Sequence, residues 1–457
     1  MSESRKTLLF ASAAVILALL AFVVAPKRIT PDAFLDQGEA FYPEFSDPNE
    51  ATTLEVVGYD EASGTTTPFK VTFKGDRWTI PSHHDYPADG KDRLAQTAAG
   101  MIDIKKDDFR TSNVADHESC GVVDPLDEST AGLSGRGSRV SLKSEGDEVL
   151  ADFIFGYEVP EREGFRFVRV PGQNRVYASR VNIDISTRFG DWIETNLLEI
   201  KKPRIEKIVL NDYSINERTL SVEQRGTLTL RLRDGEWTMS PNSGNKPLDS
   251  AKIEEVLDSL ANLSIVGVRP KPEGLTVRLQ KGDGNLQISQ ADMMSLRSKG
   301  FYFSQDGQLL SNEGEIKVHT NEGVIYTLRF GEVLYGSGMA VTAGLSSDDE
   351  DIQSESANAV NRYLFVTTDF KENYFDKPPG PSSTEFLTKP DSLLTDADKE
   401  NKQKQATLDQ WRWKQDNGRA VSSSLNERFA KWYYVISSDS FDKLHISSEN
   451  LLASEEN

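Results

Sequence analysis

Two stretches of this 457-residue chain alternate hydrophobic and polar positions in matching patterns. Residues 69–80 read FKVTFKGDRWTI, and residues 228–239 read LTLRLRDGEWTM. Each is an alternating strand, a Gly/Asp turn and a second strand led by a tryptophan, a pattern that predicts a β-hairpin. Trp78 and Trp237 fix the offset at 237 − 78 = 159. Helical periodicity follows at the same offset. Leu94, Thr97, Ala98 and Met101 align with Ile253, Val256, Leu257 and Leu260. The i, i+3, i+4, i+7 spacing of the second set puts it on one helix face. Asp249 or Ser250 suits the N-cap.

Further blocks repeat in order with a growing offset. EVLADFIFG at 148–156 pairs with GVIYTLRFG at 323–331, offset 175. Asn174 to Tyr177 pair with Asn361 to Leu364, offset 187, and Arg188 to Trp192 pair with Arg428 to Trp432, offset 240. One unit copied once, with loop insertions in the second copy, predicts this pattern. Copy one is placed at 53–200 and copy two at 204–446, opening on strands at Leu54 and Ile205. Insertions fall near 335–358 and 371–424, a linker at 29–52 and a tail at 447–457. Strands plus a helix in each copy predict an α+β fold with mainly antiparallel sheet. The repeated tryptophans are expected to cap the core of their own copy.

The second insertion is the larger: 240 − 187 gives 53 residues. Its start, KPPGPSS at 377–383, reads as an irregular tether and 391–418 as a polar helix. Trp411 and Trp413 stand out on it. Either both fold back onto the copy-two core, or they dock on a partner subunit.

Residues 8–24, LLFASAAVILALLAFVV, form an uncharged run without Pro or Gly. As a helix it spans about 26 Å, close to the apolar thickness of a bilayer. Arg5 and Lys6 precede it and Lys27 and Arg28 follow. The expected topology is a short tail inside and the body outside the cytoplasm. A cleaved signal peptide is the alternative, but cleavage after Ala25 would leave Pro26 at the first mature position.

The formal net charge is -20. Residues 1–28 sum to +3, so the remaining body carries -20 - 3 = -23. Such a body is repelled by nucleic acid and anionic lipid. Cys120 is the only cysteine, which excludes an intramolecular disulfide, and it reads as a small buried hydrophobe.

No motif commits the chain to a chemistry. The five histidines are His83, His84, His117, His319 and His445. Adjacent His83 and His84 in a loop do not share a ligand face, and His117 and Cys120 have zinc-like spacing without a second pair. GLSGRGS at 132–138 lacks the Gly-Lys-Ser/Thr ending of a phosphate loop and leads into a strand. SDDED at 347–351 lacks the turn of a calcium loop and reads as solvated. The expectation is therefore no catalytic, cofactor-binding or metal-binding residue.

Several of these blocks carry a family resemblance. Trp78 and Trp237 lead strands before a helix; FVRVPGQNRVY stands at 167–177; Asp191 and Trp192 lead to Asn196, Leu197 and Leu198; NERFAKWYYVI stands at 426–436. With the N-terminal apolar run, these resemble the family catalogued as domain of unknown function 4340. The resemblance implies an anchored companion of gliding-motility-type ABC transport systems, partnered by permease or substrate-binding-like subunits. It implies no catalytic residues. A general envelope scaffold and a carboxylate hydrolase are the alternatives.

Overall fold

The computed structural model describes residues 14–17, 36–127, 132–216, 218–219, 221–241, 246–281, 289–304, 307–336, 338–344 and 359–453. Apart from helical residues 14–17, the expected anchor at 8–24 lies outside the described residues, as does the acidic run 347–351. No helix among the described residues is long and apolar enough to cross a membrane.

The fold is mixed α+β with two large antiparallel sheets. The first contains β1 (Thr53–Asp60), β2 (Thr65–Lys74), β3 (Arg77–Ile80), β4 (Tyr86–Pro87), β5 (Asp108–Thr111), β6 (Ser138–Lys143), β7 (Val149–Glu158), β8 (Phe165–Arg169) and β9 (Val176–Arg180). Their order is β4-β3-β2-β1-β6-β7-β8-β9-β5. The second contains β10 (Ile205–Asn216), β11 (Ser221–Arg233), β12 (Glu236–Ser240), β13 (Gly267–Pro270), then, after the small hairpin of β14 (Phe301–Phe303) and β15 (Leu309–Ser311), β16 (Glu315–Thr320), β17 (Val324–Tyr335), β18 (Val360–Phe370) and β19 (Trp432–Ser437). Here the order is β12-β11-β10-β16-β17-β18-β19-β13. Without β4, the two orders are the same strand for strand.

Registers agree as well. Phe73 faces Trp78 across the first hairpin and Leu232 faces Trp237 across the second, both at offset 159. Both turns carry two residues at positive φ, Gly75 and Asp76 in one and Asp234 and Gly235 in the other, as tight hairpins require. The helices Lys91–Ile102 and Ser250–Ala261 bury the expected faces, Leu94, Thr97, Ala98 and Met101 in one and Ile253, Val256, Leu257 and Leu260 in the other. Asp249 caps the second by accepting from Ala251 N at 2.9 Å. Offset 159 also relates β5 to β13: Asp108 pairs with Ala178, and Gly267 with Val435.

A bulge recurs at offset 175. The β7–β8 register shifts between Phe155 and Glu158, and the β17–β18 register between Phe330 and Val333. The residue after each phenylalanine is a glycine for a steric reason. A Cβ at Gly156 would lie 2.2 Å from the Cys120 carbonyl oxygen, and one at Gly331 would lie 2.1 Å from that of Lys299.

Two expected blocks are overturned by the topology. Val176 and Tyr177 lie in β9, whereas Asn361 to Leu364 lie in β18, the counterpart of β8. The true match sets Val168 against Leu364, since these face Phe155 and Phe330, an offset of 364 − 168 = 196. Arg188 to Trp192 follow β9, whereas Arg428 to Trp432 run into β19, so they are not equivalent. Strand β9 matches β19 through Ala178 and Val435, at 435 − 178 = 257. The insertion between β18 and β19 is thus 257 − 196 = 61 residues, not 53.

That insertion is mostly one helix, Asp396–Ala430. Its buried positions Asp398, Asn401, Leu408, Gln415, Gly418, Ser422, Leu425 and Phe429 form a single stripe. The C-terminal half packs on β17 and β18. The N-terminal half is met by the chain leading into it, where Lys389 donates to Asp398 at 3.0 Å and Ser382 N to Asn401 at 2.9 Å, and past the midpoint Gln415 donates to the Glu372 carbonyl at 3.0 Å. The helix end is held by the buried Lys271, whose Nζ donates to the Phe429 carbonyl at 3.0 Å and lies 3.8 Å from the Phe365 ring centre. Burial pushes that ammonium well below the ordinary lysine range.

The chain forms two compact units. The first comprises Met1–Pro68 and Leu94–Ile185; the second comprises Phe69–Arg93 and Ser186–Asn457. Unit and copy boundaries therefore differ. The hairpin tip and Trp192 of copy one fold with the second unit. From Asp36 onward, the expected linker packs into the first unit, where Tyr177 donates to Asp36 at 2.6 Å and Gly38 N donates to the Lys106 carbonyl at 2.9 Å.

Candidate functional site

In the second unit the loop after β3 carries His83 and His84 and lies beside Trp192 and Trp432. That loop turns through Pro81–His83, then through His84 and Asp85, both at positive φ. Asp and His tolerate this conformation better than most residues. The reversal returns Tyr86 to pair with Ile80 as β4. His84 Nε2 donates to the Ala343 carbonyl at 2.7 Å, which fixes its tautomer. Behind it, Ser186–Trp192 forms a second turn. Ser186 donates to Asp191 at 2.5 Å, Arg188 donates to the same oxygen at 2.9 Å, and the Trp192 indole donates to the Ser186 carbonyl at 3.0 Å. Burial opposes ionisation of Asp191, but these hydrogen bonds hold its carboxyl below the ordinary range. Asp89 N donates to the Trp192 carbonyl at 2.8 Å and ties the two turns together.

A chain of rings fills the space between. Phe69 lies 5.7 Å from Trp192, His83 stacks on Phe189 at 4.2 Å, and Tyr86 meets Phe189 at 5.5 Å and Trp432 at 5.0 Å. His83 is buried, and its Nδ1 pairs with Ser82 at 2.9 Å. Its Nε2 has no partner among the described residues. Burial, with His84 and Arg269 nearby, pushes its pKa down to about 4, so the ring is neutral at pH 7. Trp192 and Trp432 thus serve one cluster in the second unit instead of capping separate copies. Trp78 and Trp237 are only half-buried, against their cross-strand neighbours.

A cleft of about 420 Å³ opens over this cluster. Tyr86, Trp432 and Tyr434 form its floor; burial pushes the Tyr86 hydroxyl up to about 12. Asp89, Glu194, Glu199 and Glu427 line it, together with Arg77, Arg428 and Lys431. Arg428 pairs with Glu199 and donates to the Asn196 carbonyl at 3.3 Å. This lining of acids, bases and aromatic edges suits a small polar ligand or a partner's loop.

The other sequence candidates stay apart. His117 donates through Nε2 to the Asn174 carbonyl at 2.9 Å, and Cys120 lies in an apolar cluster with Val122, Ile154 and Phe167. Burial pushes that thiol up, away from reactivity. His319 sits half-buried on β16, its pKa down to about 4 through burial. His445 stacks on Phe441 and faces Asp212 at 3.3 Å. Ser138 begins β6, as expected for the end of the 132–138 loop. Among the described residues, no group of three or more His, Cys, Asp or Glu is placed to hold a metal ion. The cleft had no signal in sequence, because its lining comes from segments near 77–89, 194–199 and 427–434 that only folding brings together. Lys271 likewise carried none.

Residues 78–281 match the family described as Domain of unknown function (DUF4340), the family the motifs resemble. No curated protein matches the chain, and no solved structure does.

Proposed function

We propose that this chain is a non-catalytic, membrane-anchored accessory or assembly subunit of an ABC-type transport system, its body on the extracytoplasmic side of the cell membrane. The observation that carries the reading is Trp413. Its side chain is 66% exposed on the helix inserted between β18 and β19. Its neighbour Trp411 is accounted for, since the indole donates to the Phe375 carbonyl at 3.0 Å. One tryptophan folds back and the other faces solvent, where such rings serve as interface anchors. The apolar run at 8–24 supports anchoring, and the family resemblance supports permease or substrate-binding-like subunits as partners. The shared strand order of the two sheets supports descent from one duplicated unit, a scaffold widened by the inserted helix.

Affinity purification from native membranes tests this, comparing the wild-type chain with Trp413→Glu. The expected result is a transport permease or its companion subunit recovered with the wild type and lost from a variant that melts normally. Recovery of envelope proteins without any transport subunit would favour a general scaffold instead.

The cleft favours one other reading, a hydrolase using carboxylates among Asp89, Glu194, Glu199 and Glu427. A turnover abolished by Glu194→Gln or Glu427→Gln in the purified body would establish it over the accessory role.

A further inference from the structure

We infer that the first unit carries a docking groove for an extended cationic peptide segment of a partner protein. The groove has a volume of about 750 Å³. One wall is the segment from Phe41 to Thr52; the other is the turn joining β6 to β7. Both walls are fixed from behind. Tyr42 donates to the Asp152 carbonyl at 2.6 Å, Thr52 N donates to the Lys143 carbonyl at 2.9 Å, and Phe41 and Tyr42 pack edge-on against Phe153 at 5.2 and 5.1 Å. The opening is therefore part of the folded unit.

Its lining specifies the occupant. Glu44, Glu50, Glu145 and Glu148 all line the groove, and among the described residues no lysine or arginine does. The nearest cations along β6 are committed elsewhere, Lys143 to Glu55 at 2.7 Å and Arg139 to Asp152 at 2.7 Å. Apolar groups line it too, with Phe45 buried and Val149 52% exposed. Carboxylates and apolar groups in one groove complement a segment that carries both lysine or arginine and apolar side chains. Each long cationic stem covers apolar surface while its head reaches a carboxylate. An anionic lipid surface is repelled by the same four groups. This inference rests on the accessory-subunit reading only for the origin of the segment; the groove lies in the first unit and does not involve Trp413.

Fluorescence anisotropy tests it with the full-length chain in nanodiscs and a short labelled peptide of alternating lysine and leucine. The comparison pairs Glu44→Gln/Glu50→Gln/Glu145→Gln/Glu148→Gln with a charge-matched control, Glu223→Gln/Glu236→Gln/Glu254→Gln/Glu255→Gln. Thermal melting checks that both variants fold. The expected result is saturable binding that the groove variant weakens at least tenfold, that the control and Trp413→Glu leave unchanged, and that weakens as salt rises from roughly 20 to 300 mM. Absence of binding, or equal weakening by both variants, would overturn the inference. So would displacement of the peptide by calcium alone, which would mark a cation site, or glutamate-dependent self-association without peptide binding, which would mark a contact between copies.

Discussion

Arg362 donates a hydrogen bond to the carbonyl oxygen of Gly331 at 2.7 Å and so closes the bulge of β17. The first sheet repeats the arrangement, with Arg166 donating to Gly156 at 3.0 Å across the bulge of β7. Both guanidinium groups are partly withdrawn from water, and burial pushes both pKa values down. A buried carbonyl at a bulge lacks its ladder partner, and the arginine supplies one. The same residue types at the same bulge in both sheets tie the repeat to a local physical need.

That need predicts the effect of filling either glycine. Gly156→Ala and Gly331→Ala each drive a methyl group into a backbone carbonyl, at 2.2 and 2.1 Å. Backbone does not yield as a side-chain tip does, so each should cost roughly 3 kcal/mol or prevent folding. Urea denaturation reads the loss. A cost below about 1 kcal/mol in both would show that the bulges relax freely.

The tryptophans should separate by burial. Trp192 is fully buried among Phe69, Val71 and Arg93, and Trp192→Ala should destabilise by about 3–5 kcal/mol. Trp413→Ala, at an exposed position, should change stability by no more than about 0.5 kcal/mol. Denaturation curves for the two variants test the contrast, and similar losses would contradict it.

Acid should weaken the second unit through His83. Its pKa is about 4 when folded, against 6.5 for an ordinary histidine. Between those values the unfolded chain binds a proton that the folded chain refuses. Stability is therefore full above pH 6.5 and is lost as pH falls toward 4. At about 1.36 kcal/mol per unit, the loss is on the order of 3 kcal/mol. His319, also near 4, acts in the same direction. His83→Phe keeps a ring against Phe189 and should remove roughly half of the slope in that window, as read from stability curves at successive pH values. An unchanged slope would mean that His83 gains water or a partner in solution.

The repeat was legible in sequence where structure is local. The hairpins led by Trp78 and Trp237, the helices after them and the phenylalanine-glycine pairs of β7 and β17 each encode their own geometry. Legibility failed at Asn174 and Arg188. Short arginine-aromatic motifs recur by chance, and period-two alternation lets a strand slip onto the wrong partner. With 61 residues between β18 and β19, sequence spacing no longer points to the partner strand. Unit membership was not readable either, because Phe69–Arg93 joins the second unit through contacts distant in sequence. Of the two insertion tryptophans, Trp411 folds back onto the Phe375 carbonyl and Trp413 is exposed, since a helix turns adjacent-but-one residues about 200° apart.

Site-specific photo-crosslinking at position 413 in living cells tests the accessory-subunit reading most directly. A photoreactive aromatic residue replaces Trp413, and the adducts are identified by mass spectrometry; exposed Trp413 tolerates the exchange without loss of fold. The account predicts a specific adduct with a permease or substrate-binding-like subunit of an ABC-type transporter, absent when the residue is placed at Trp192. Adducts at 413 that contain no transport subunit, or no adduct at all, would contradict it.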